Sequence, residues 1–293
     1  MRFVCSVAFC DPRQLCGVAR AADACGWDAL IVPDHLVHPE KIASPYPYTA
    51  DGAPRWQAEA PWPDPWVAIG AMSAVTERLR FYTGIYILPL RNPFAAAKAV
   101  ATAAILSGYR VSLGVGVGWM QQEFELMGQA FQERGRRADE MIEVMRKLWA
   151  GGMVEHHGEF YDFDRLQMSP ALEGPLPILV GGTSEAALRR AARNDGWISD
   201  LHSADELRRI LGRIRAHRQE LCRGDEPLTI VAACRDAVDL DGYRRLADLG
   251  VTHLQTMPWL LYGLRGERLE EKQEGLRRFA DDVIARWGSA GGR

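Results

Sequence analysis

The chain has 293 residues, of which 47% are hydrophobic and 25% are charged, and its formal net charge at pH 7 is -3. This composition is ordinary for a globular protein with a sizeable core, and without a basic stripe it gives no reason to expect nucleic acid as a partner. The apolar runs near residues 28–33 and 99–106 are too short to span a bilayer, so we expect a cytoplasmic protein that does not bind membranes.

Strand-like apolar runs alternate with helical periodicities from one end of the chain to the other. Nearly continuous apolar stretches are typical of parallel strands that are covered on both faces. The predicted strands are residues 2–9, 27–33, 79–88, 110–117, 177–181, 196–200, 228–234 and 251–257. The predicted helices lie at about 11–25, 64–76, 93–107, 135–150, 184–194, 204–222, 239–249 and 267–287.

This alternation predicts the fold class. Eight βα units without a linker or composition shift indicate one α/β domain over residues 1–293, a (β/α)8 TIM barrel with insertion loops at its C-terminal face. A doubly wound open sheet is the alternative, because strand count alone does not prove closure. Two connections are long: we interpret residues 36–63, rich in proline and aromatic residues, as a lid, and residues 151–176 as an insertion with a β-hairpin.

Polar residues follow the second predicted strand, in the stretch VPDHLVHPE. The C-terminal ends of barrel strands carry the chemistry, so Asp34 and His35 are candidate catalytic residues. A histidine there can exchange a proton or donate a hydrogen bond to a bound cofactor. One alternative is a Zn or Mn site that adds His38 and Glu40, and another is a histidine with only a structural role. We favour a site without metal.

Glycines mark the ends of the third and fourth predicted strands. Gly84 indicates either a bulge close to a ligand or a packing kink. Gly114, Gly116 and Gly118 do not fit a Rossmann fingerprint, because its third glycine position falls on Trp119. We interpret this series as backbone left bare for a planar or phosphate group.

The fifth predicted strand ends in Gly181 and Gly182, followed by Thr183 or Ser184 as the N-cap of a helix. Free N–H groups and hydroxyls at a helix start form an anion site, although an ordinary capped helix has the same pattern. Asp200 and His202, after the sixth strand, are weaker candidates for the pocket. Large aromatic residues are predicted to line the substrate pocket: Trp56, Trp62, Trp119 and Trp259.

Four segments, taken together and in order, resemble the bacterial luciferase-like flavin and deazaflavin oxidoreductases. They are residues 22–36, 79–119, 133–149 and 177–199, and the resemblance is strong over about residues 1–200. It is closest to the subgroup assigned to coenzyme F420, a deazaflavin. The resemblance implies a (β/α)8 barrel with the cofactor ring across its mouth, a homodimer, and a flavin or F420 reductase as a partner.

The resemblance also implies roles for particular residues. It implies a non-proline cis peptide between Gly84 and Ile85 that backs the ring, and it places Asp34 and His35 beside the reactive carbon of the ring. The phosphate contacts that it implies are Val117, Gly118, Gly181, Gly182, Thr183 and Ser184.

The sequence departs from this family in one place. Deazaflavin sugar-phosphate dehydrogenases carry a catalytic glutamate directly after the strand-four glycines, where this chain has Trp119 and Met120, with Glu123 further on. The departure argues against a sugar-phosphate substrate and leaves the acid–base role to His35 or to no residue. An aromatic lid also suits an apolar substrate.

The sequence therefore predicts an F420-dependent oxidoreductase that transfers a hydride between the deazaflavin and a small, fairly apolar organic substrate. One alternative is a monooxygenase that uses reduced FMN and oxygen with a partner reductase. The other is a barrel that binds flavin or a metabolite without turnover. No residue separates the first two, because both cofactors share the tricyclic ring and the first phosphate.

Overall fold

The barrel is built from parallel strands that follow one another around a closed ring in the computed structural model, which describes residues 1–290. In chain order the strands are β1 (Arg2–Ser6), β2 (Ala29–Val32), β3 (Arg80–Thr83), β4 (Tyr86–Ile87), β5 (Val111–Gly116), β6 (Val154–His157), β7 (Asp162–Leu166), β8 (Ile178–Gly181), β9 (Gly196–His202), β10 (Thr229–Cys234) and β11 (His253–Thr256). The ring runs β1, β2, β3, β5, β8, β9, β10, β11, and β11 pairs with β1. Closure confirms the (β/α)8 prediction and excludes the open sheet.

The helices lie between the strands, close to their predicted positions. They are α1 (Leu15–Ala24), α2 (Pro65–Ser73), α3 (Pro93–Leu106), α4 (Gln121–Leu126), α5 (Arg134–Ala150), α6 (Glu185–Arg193), α7 (Ala204–Glu220), α8 (Leu240–Asp248), α9 (Pro258–Leu261), α10 (Leu269–Phe279) and α11 (Ala285–Ala290). The short helices α4 and α9 are additions to the predicted set. A π-helical segment, Ala280–Ile284, joins α10 to α11 within the predicted helix 267–287.

Local sequence explains where these helices begin and which face they bury. α2 and α3 each begin at a proline, after Asp64 and Asn92, whose side chains accept N–H bonds from the first turn. α5 buries the apolar face that its periodicity predicts: Ala138, Met141, Ile142, Met145, Leu148 and Trp149. No helix within residues 1–290 combines the length and hydropathy that a membrane crossing needs.

Side chains fill the barrel interior, so the barrel is a packed core rather than a pore. The inward-facing cluster consists of Val4, Ala29, Ile31, Tyr82, Leu179, Ile198 and Val231. Any open space in the barrel is therefore at its ends.

The two long connections differ in position, because residues 36–63 follow the end of β2 whereas residues 151–176 precede the start of β8 and do not belong to the C-terminal face. In the second, β6 and β7 form an antiparallel hairpin. Glu140 on α5 accepts backbone N–H bonds from Phe160 at 3.0 Å and Tyr161 at 2.8 Å, which anchors the hairpin turn to that helix. Residues 36–63, called the lid below, contain no helix or strand and contribute to the wall of the cavity at the C-terminal end of the barrel.

Candidate active site

A cavity of about 1280 Å³ opens at the C-terminal ends of the barrel strands. Residues at the end of every barrel strand line it, together with residues of the lid. Cavities for a single small ligand are usually about 300–1,000 Å³. This one therefore has room for a large cofactor together with a substrate.

Nearly all of the predicted site residues line this one cavity. They are Asp34, His35, Trp56, Trp62, Gly84, Ile85, Val117, Gly118, Trp119, Gly181, Gly182, Thr183 and Ser184. Asp200 lines it as well, whereas His202 is not among the lining residues. The cavity brings these residues together, and their individual roles stay predictions.

Trp259 is the exception, and its predicted place in the pocket is wrong. The chain turns into α9 at Pro258, and the Trp259 side chain, 2% exposed, packs in the core against α10. A Cβ atom at Gly275 of α10 would lie 2.6 Å from the Trp259 backbone, which shows how close this packing is. Leu260 and Leu261 line the cavity in its place.

His35 forms a buried pair with Glu123, a residue that lies 88 positions further along the chain. His35 Nδ1 is 3.1 Å from Glu123 Oε2, and the Glu123 side chain is fully enclosed. The Leu36 N–H donates to Glu123 Oε1 at 2.7 Å. A carboxylate accepts hydrogen bonds, so this arrangement favours the imidazole tautomer that carries its proton on Nδ1 and leaves Nε2 to act.

Three tryptophans surround the His35 ring, and we call them the aromatic cage. The ring centroids of Trp62, Trp56 and Trp119 lie 4.7, 5.2 and 5.9 Å from that of His35. Phe9, after β1, stacks on Trp56 at 6.0 Å. Aromatic walls of this size remove water from the histidine and offer flat apolar contact surfaces.

The Asp34 carboxylate is directed to protein donors. Asp34 Oδ2 accepts from the Ile87 N–H at 2.9 Å, and Oδ1 accepts from Arg91 Nη2 at 2.7 Å. Burial raises the pKa of Asp34, and the Arg91 guanidinium and the Ile87 N–H oppose that rise. Asp34 therefore ties β2 to the segment after the Gly84-Ile85 peptide, next to the catalytic candidate His35.

The Gly84-Ile85 peptide bond is cis, as the resemblance implies. The Ile85 side chain lies over two of the predicted glycines: a Cβ at Gly116 would be 2.1 Å from Ile85 Cδ1, and one at Gly181 would be 2.7 Å from Ile85 Cγ2. Gly116 lines the cavity, and its lack of a side chain also leaves room for Ile85. Gly116 and Gly181 make a seat for Ile85, and Ile85 presents its surface to the cavity.

The start of α6 and a nearby arginine form a positively polarised corner of the cavity. Gly182 has φ +101°, and Trp197 Nε1–H donates to its carbonyl at 2.8 Å. Ser184 caps α6 by accepting from the Ala187 N–H at 3.3 Å, so its hydroxyl proton is available to a ligand. Arg134, at the start of α5, lines the same cavity.

Arg134 is held by two backbone carbonyls. Its Nε donates to Gly118 O at 3.1 Å and its Nη1 donates to Phe131 O at 2.8 Å. Burial lowers the pKa of Arg134, but a guanidinium stays charged in proteins. The hydrogen bonds found within residues 1–290 do not use Nη2, which suits an anion in the corner.

The lid is fastened to the barrel on two sides. Ser44 Oγ accepts from the Gln121 N–H on α4 at 3.1 Å. On the other side, the Tyr46 hydroxyl donates to Asp200 at 3.0 Å and Arg55 Nη1 donates to it at 2.7 Å. Burial and the Asp200 charge raise the pKa of Tyr46, so this phenol stays a donor.

Sequence reasoning missed the roles of Glu123 and Arg134, and it placed Asp200 only weakly. Glu123 follows the strand-four glycines at a distance that no local pattern connects to His35, and Arg134 stands at the start of an ordinary amphipathic helix. The metal alternative has no support in the geometry: within residues 1–290, no group of three or more His, Cys, Asp or Glu side chains is arranged to hold a metal ion.

Known proteins share this fold and much of this sequence. The model of the luciferase-like monooxygenase family matches residues 6–278. An uncharacterized protein of Mycobacterium tuberculosis is 40% identical over 289 residues, which cover 98% of this chain and 100% of that protein. An F420-dependent glucose-6-phosphate dehydrogenase of Nakamurella multipartita is 29% identical over 281 residues, covering 93% of this chain and 76% of that protein.

The solved structure of the coenzyme F420-dependent tetrahydromethanopterin reductase of Methanopyrus kandleri has the same architecture. It matches with a TM-score of 0.73 at 15% identity and covers 97% of this chain and 99% of that one. At this identity the likeness is one of fold.

Proposed function

The chain belongs to the luciferase-like monooxygenase family, and from its site we propose that it is an F420-dependent oxidoreductase. It transfers a hydride between the deazaflavin and a small, fairly apolar organic substrate. One observation carries the proposal: a single cavity joins an apolar seat for a flat ring, a corner for a phosphate and an enclosed histidine–carboxylate pair.

The residues present fit the cofactor. Ile85, fixed between Gly116 and Gly181, is the surface against which the tricyclic ring would lie. Gly182, Thr183 and Ser184 would hold the phosphate with N–H and hydroxyl donors at the start of α6, where the helix dipole favours an anion. Arg134 would add a charged donor.

A carboxylate at the same helix start does not oppose an anion there. Glu185, in the first turn of α6, pairs with Arg213 and His217 of α7. The hydrogen bonds from Arg213 and His217 lower the pKa of Glu185, and the Arg213 guanidinium offsets its charge. The corner therefore keeps the positive polarity that the phosphate requires.

When bound, F420 supplies or takes up a hydride, and the protein positions the reactants and handles the proton. His35 is the group for that proton. With Nδ1–H directed to Glu123, the neutral His35 ring accepts a proton at Nε2 from a hydroxyl during oxidation and becomes doubly protonated. During reduction, the doubly protonated ring donates its Nε2 proton to a carbonyl oxygen and returns to the neutral form. Glu123 fixes the orientation of the His35 imidazole, and the aromatic cage keeps water away from that imidazole.

Relatives support the cofactor and differ in substrate. The relatives from Nakamurella multipartita and Methanopyrus kandleri both carry F420 in their names. We do not propose glucose 6-phosphate as the substrate of this chain. Trp119 follows the glycines at the end of β5, and an aromatic lid covers the mouth of the barrel. The homodimer and the reductase partner expected from the sequence belong to this proposal.

The family's description as monooxygenases favours a second candidate, the use of reduced FMN with oxygen and a partner reductase. FMN and F420 both have a tricyclic ring and a phosphate, which the Ile85 seat and the phosphate corner would hold. The two candidates use different cofactors, so a preference for one cofactor in binding separates them.

The test is a parallel titration of the purified apo-protein with F420 and FMN, each oxidised and reduced, followed by fluorescence and absorbance. Tight binding of F420 with much weaker FMN binding supports hydride transfer and directs a substrate screen to enones, imines and alcohols. A preference for reduced FMN moves the function to the monooxygenase. Binding of neither cofactor overturns both, and binding without turnover of any substrate supports the non-catalytic barrel.

A further inference from the structure

The lid crosses the barrel mouth from β2 to β9. It leaves the barrel after β2 and is fastened by Tyr46 and Arg55 to Asp200 in β9. In the ring of strands, β2 and β9 are four places apart, which is directly opposite in an eight-stranded barrel. The lid therefore spans the mouth from one side of the barrel to the other.

Several polar residues line the cavity on the β5–β8 side of the mouth. Ser44, Gln121, Thr183, Ser184 and Arg134 line the cavity there. This is the side of the phosphate corner, so the phosphate of the cofactor that we propose lies on this side.

The part of the mouth from β9 to β11 carries exposed apolar side chains beside the polar lining residues Cys234, Arg235, Gln255 and Thr256. Four apolar side chains line the cavity there and are exposed at the same time: Val238 (64%), Leu260 (53%), Leu261 (45%) and Leu201 (40%). We call them the apolar shelf. Within residues 1–290, no hydrogen bond, ion pair or ring contact joins the lid to the loops after β10 and β11, so the shelf stays uncovered.

Charged groups beside the shelf are already paired. Arg235 lines the cavity, but its Nη2 lies 2.9 Å from Glu206, and Arg55 is held by Asp200. A charged ligand would have to break these pairs, whereas a hydrocarbon would cover exposed apolar surface and gain from doing so.

We propose that the apolar shelf binds the hydrocarbon tail of an elongated, uncharged substrate, whose reactive group lies at His35 in the same cavity. The shelf is continuous with the cavity that holds His35, which is why a substrate tail is its occupant rather than a separate ligand. The proposal deepens the proposed function and rests on it for the identity of the reacting group.

The test uses 2-alkanones from 2-butanone to 2-dodecanone as probes. Binding to the apo-protein is followed by quenching of tryptophan fluorescence, and turnover is followed with reduced F420. We expect the affinity to rise about twofold for each methylene, roughly half the effect of full burial, because one side of the shelf faces water. The rise should stop once the chain extends past the shelf.

Paired substitutions on the shelf supply the decisive comparison. Leu260→Ser with Leu261→Ser should flatten the chain-length dependence while the affinity for F420 and for 2-butanone is unchanged. Leu106→Ser, at a leucine that is 71% exposed at the end of α3 and is not a cavity residue, is the matched control and should keep the wild-type dependence. Unchanged thermal melting of each variant shows that the fold is intact.

The outcomes separate this proposal from the proposed function. A chain-length dependence that the shelf variant removes supports the shelf even if F420 fails to bind, in which case only the proposed function fails. The shelf proposal is overturned if the protein turns over F420 but its affinity does not depend on the chain length of the alkanone. It is also overturned if the shelf variant keeps the chain-length dependence of the wild type. A change of oligomeric state in the shelf variant also overturns it, because the shelf is then an interface between copies of the chain.

Discussion

His35 Nδ1 lies 3.1 Å from Glu123 Oε2, and this contact joins the end of β2 to the helix that follows β5. A carboxylate on one ring nitrogen fixes which nitrogen is free for a substrate. Because the Leu36 N–H occupies the other carboxylate oxygen, Glu123 orients the residue next to His35 as well. The pair is the feature of the site most open to direct test.

Glu123→Gln should lower kcat by at least about tenfold, because the amide can present its NH2 group to Nδ1 and favour the wrong tautomer. The dissociation constant for F420 should stay within the error of the measurement, since Glu123 does not face the phosphate corner. Steady-state kinetics and a fluorescence titration measure the two quantities separately. An unchanged kcat in Glu123→Gln, beside an inactive His35→Gln, would show that His35 acts without this partner.

Gly116→Ala should weaken F420 binding because the new Cβ would lie 2.1 Å from Ile85 Cδ1 and displace the seat of the ring. The strain is expected to cost about 1–3 kcal/mol, taken from the free energy of binding, from the free energy of unfolding or from both. Gly212→Ala is the control, since a Cβ at Gly212 in α7 meets no atom within 4 Å. Isothermal titration and thermal melting measure the two costs. The double variant Gly116→Ala with Ile85→Val should recover part of the lost binding, because valine lacks the Cδ1 atom and keeps most of the apolar surface under the ring. A double variant no better than Gly116→Ala alone would contradict the steric argument.

Arg134→Gln should weaken the binding of F420 and FMN by about 10- to 100-fold, because a charge-assisted hydrogen bond to a phosphate is lost. Riboflavin, which has the flavin ring without the phosphate, serves as the control ligand and should bind the variant as it binds the wild type. Equal losses for FMN and riboflavin would mean that Arg134 shapes the cavity by packing on Phe131 rather than by contacting phosphate.

Asp200→Asn should loosen the lid while leaving global stability nearly unchanged. Its pair with Arg55 is partly exposed, so the loss of unfolding free energy should be below about 1 kcal/mol. Acrylamide quenching of tryptophan fluorescence should increase, because Trp56 and Trp62 belong to the lid. Glu274→Gln, which removes an exposed pair with Arg277 on α10, is the control. Identical quenching in both variants would show that Asp200 does not hold the lid in place.

His253 should make the protein less stable in acid. Burial lowers its pKa from 6.5 to about 4, and Arg2 and the chain's amino terminus act in the same direction. Between these two values the unfolded chain binds the proton and the folded chain does not, so the unfolding free energy falls as the pH is lowered from 6.5 towards 4. The expected loss is about 2–3 kcal/mol.

Urea unfolding across that pH range measures this loss, and His253→Gln should reduce the slope. Loss of the contacts to Tyr82 and Thr252 lowers the stability of the variant at every pH, so the slope is the informative quantity. A slope equal to that of the wild type would assign the acid sensitivity to other groups.

Local sequence was sufficient to locate every barrel strand and the main helices. Apolar runs, helical periodicity and cap residues such as Asn92 act over a few neighbouring residues, so they can be read without knowing the fold. The alternation of these elements in turn predicts a barrel, and a barrel brings its strand ends together. That is why Asp34, His35, Gly118 and Ser184 were found from the sequence and do line one cavity.

The tertiary structure alone decided which of these residues contact each other. Glu123 meets His35 because α4 folds back over the end of β2, Ile85 covers Gly116 because β4 pairs with β5, and Asp200 receives the lid because β9 lies opposite β2. Trp259 points into the core for a similar reason, since α10 packs on the turn after β11. These contacts depend on the path of loops and on the register between distant strands. Neither leaves a periodic signal in the residues concerned.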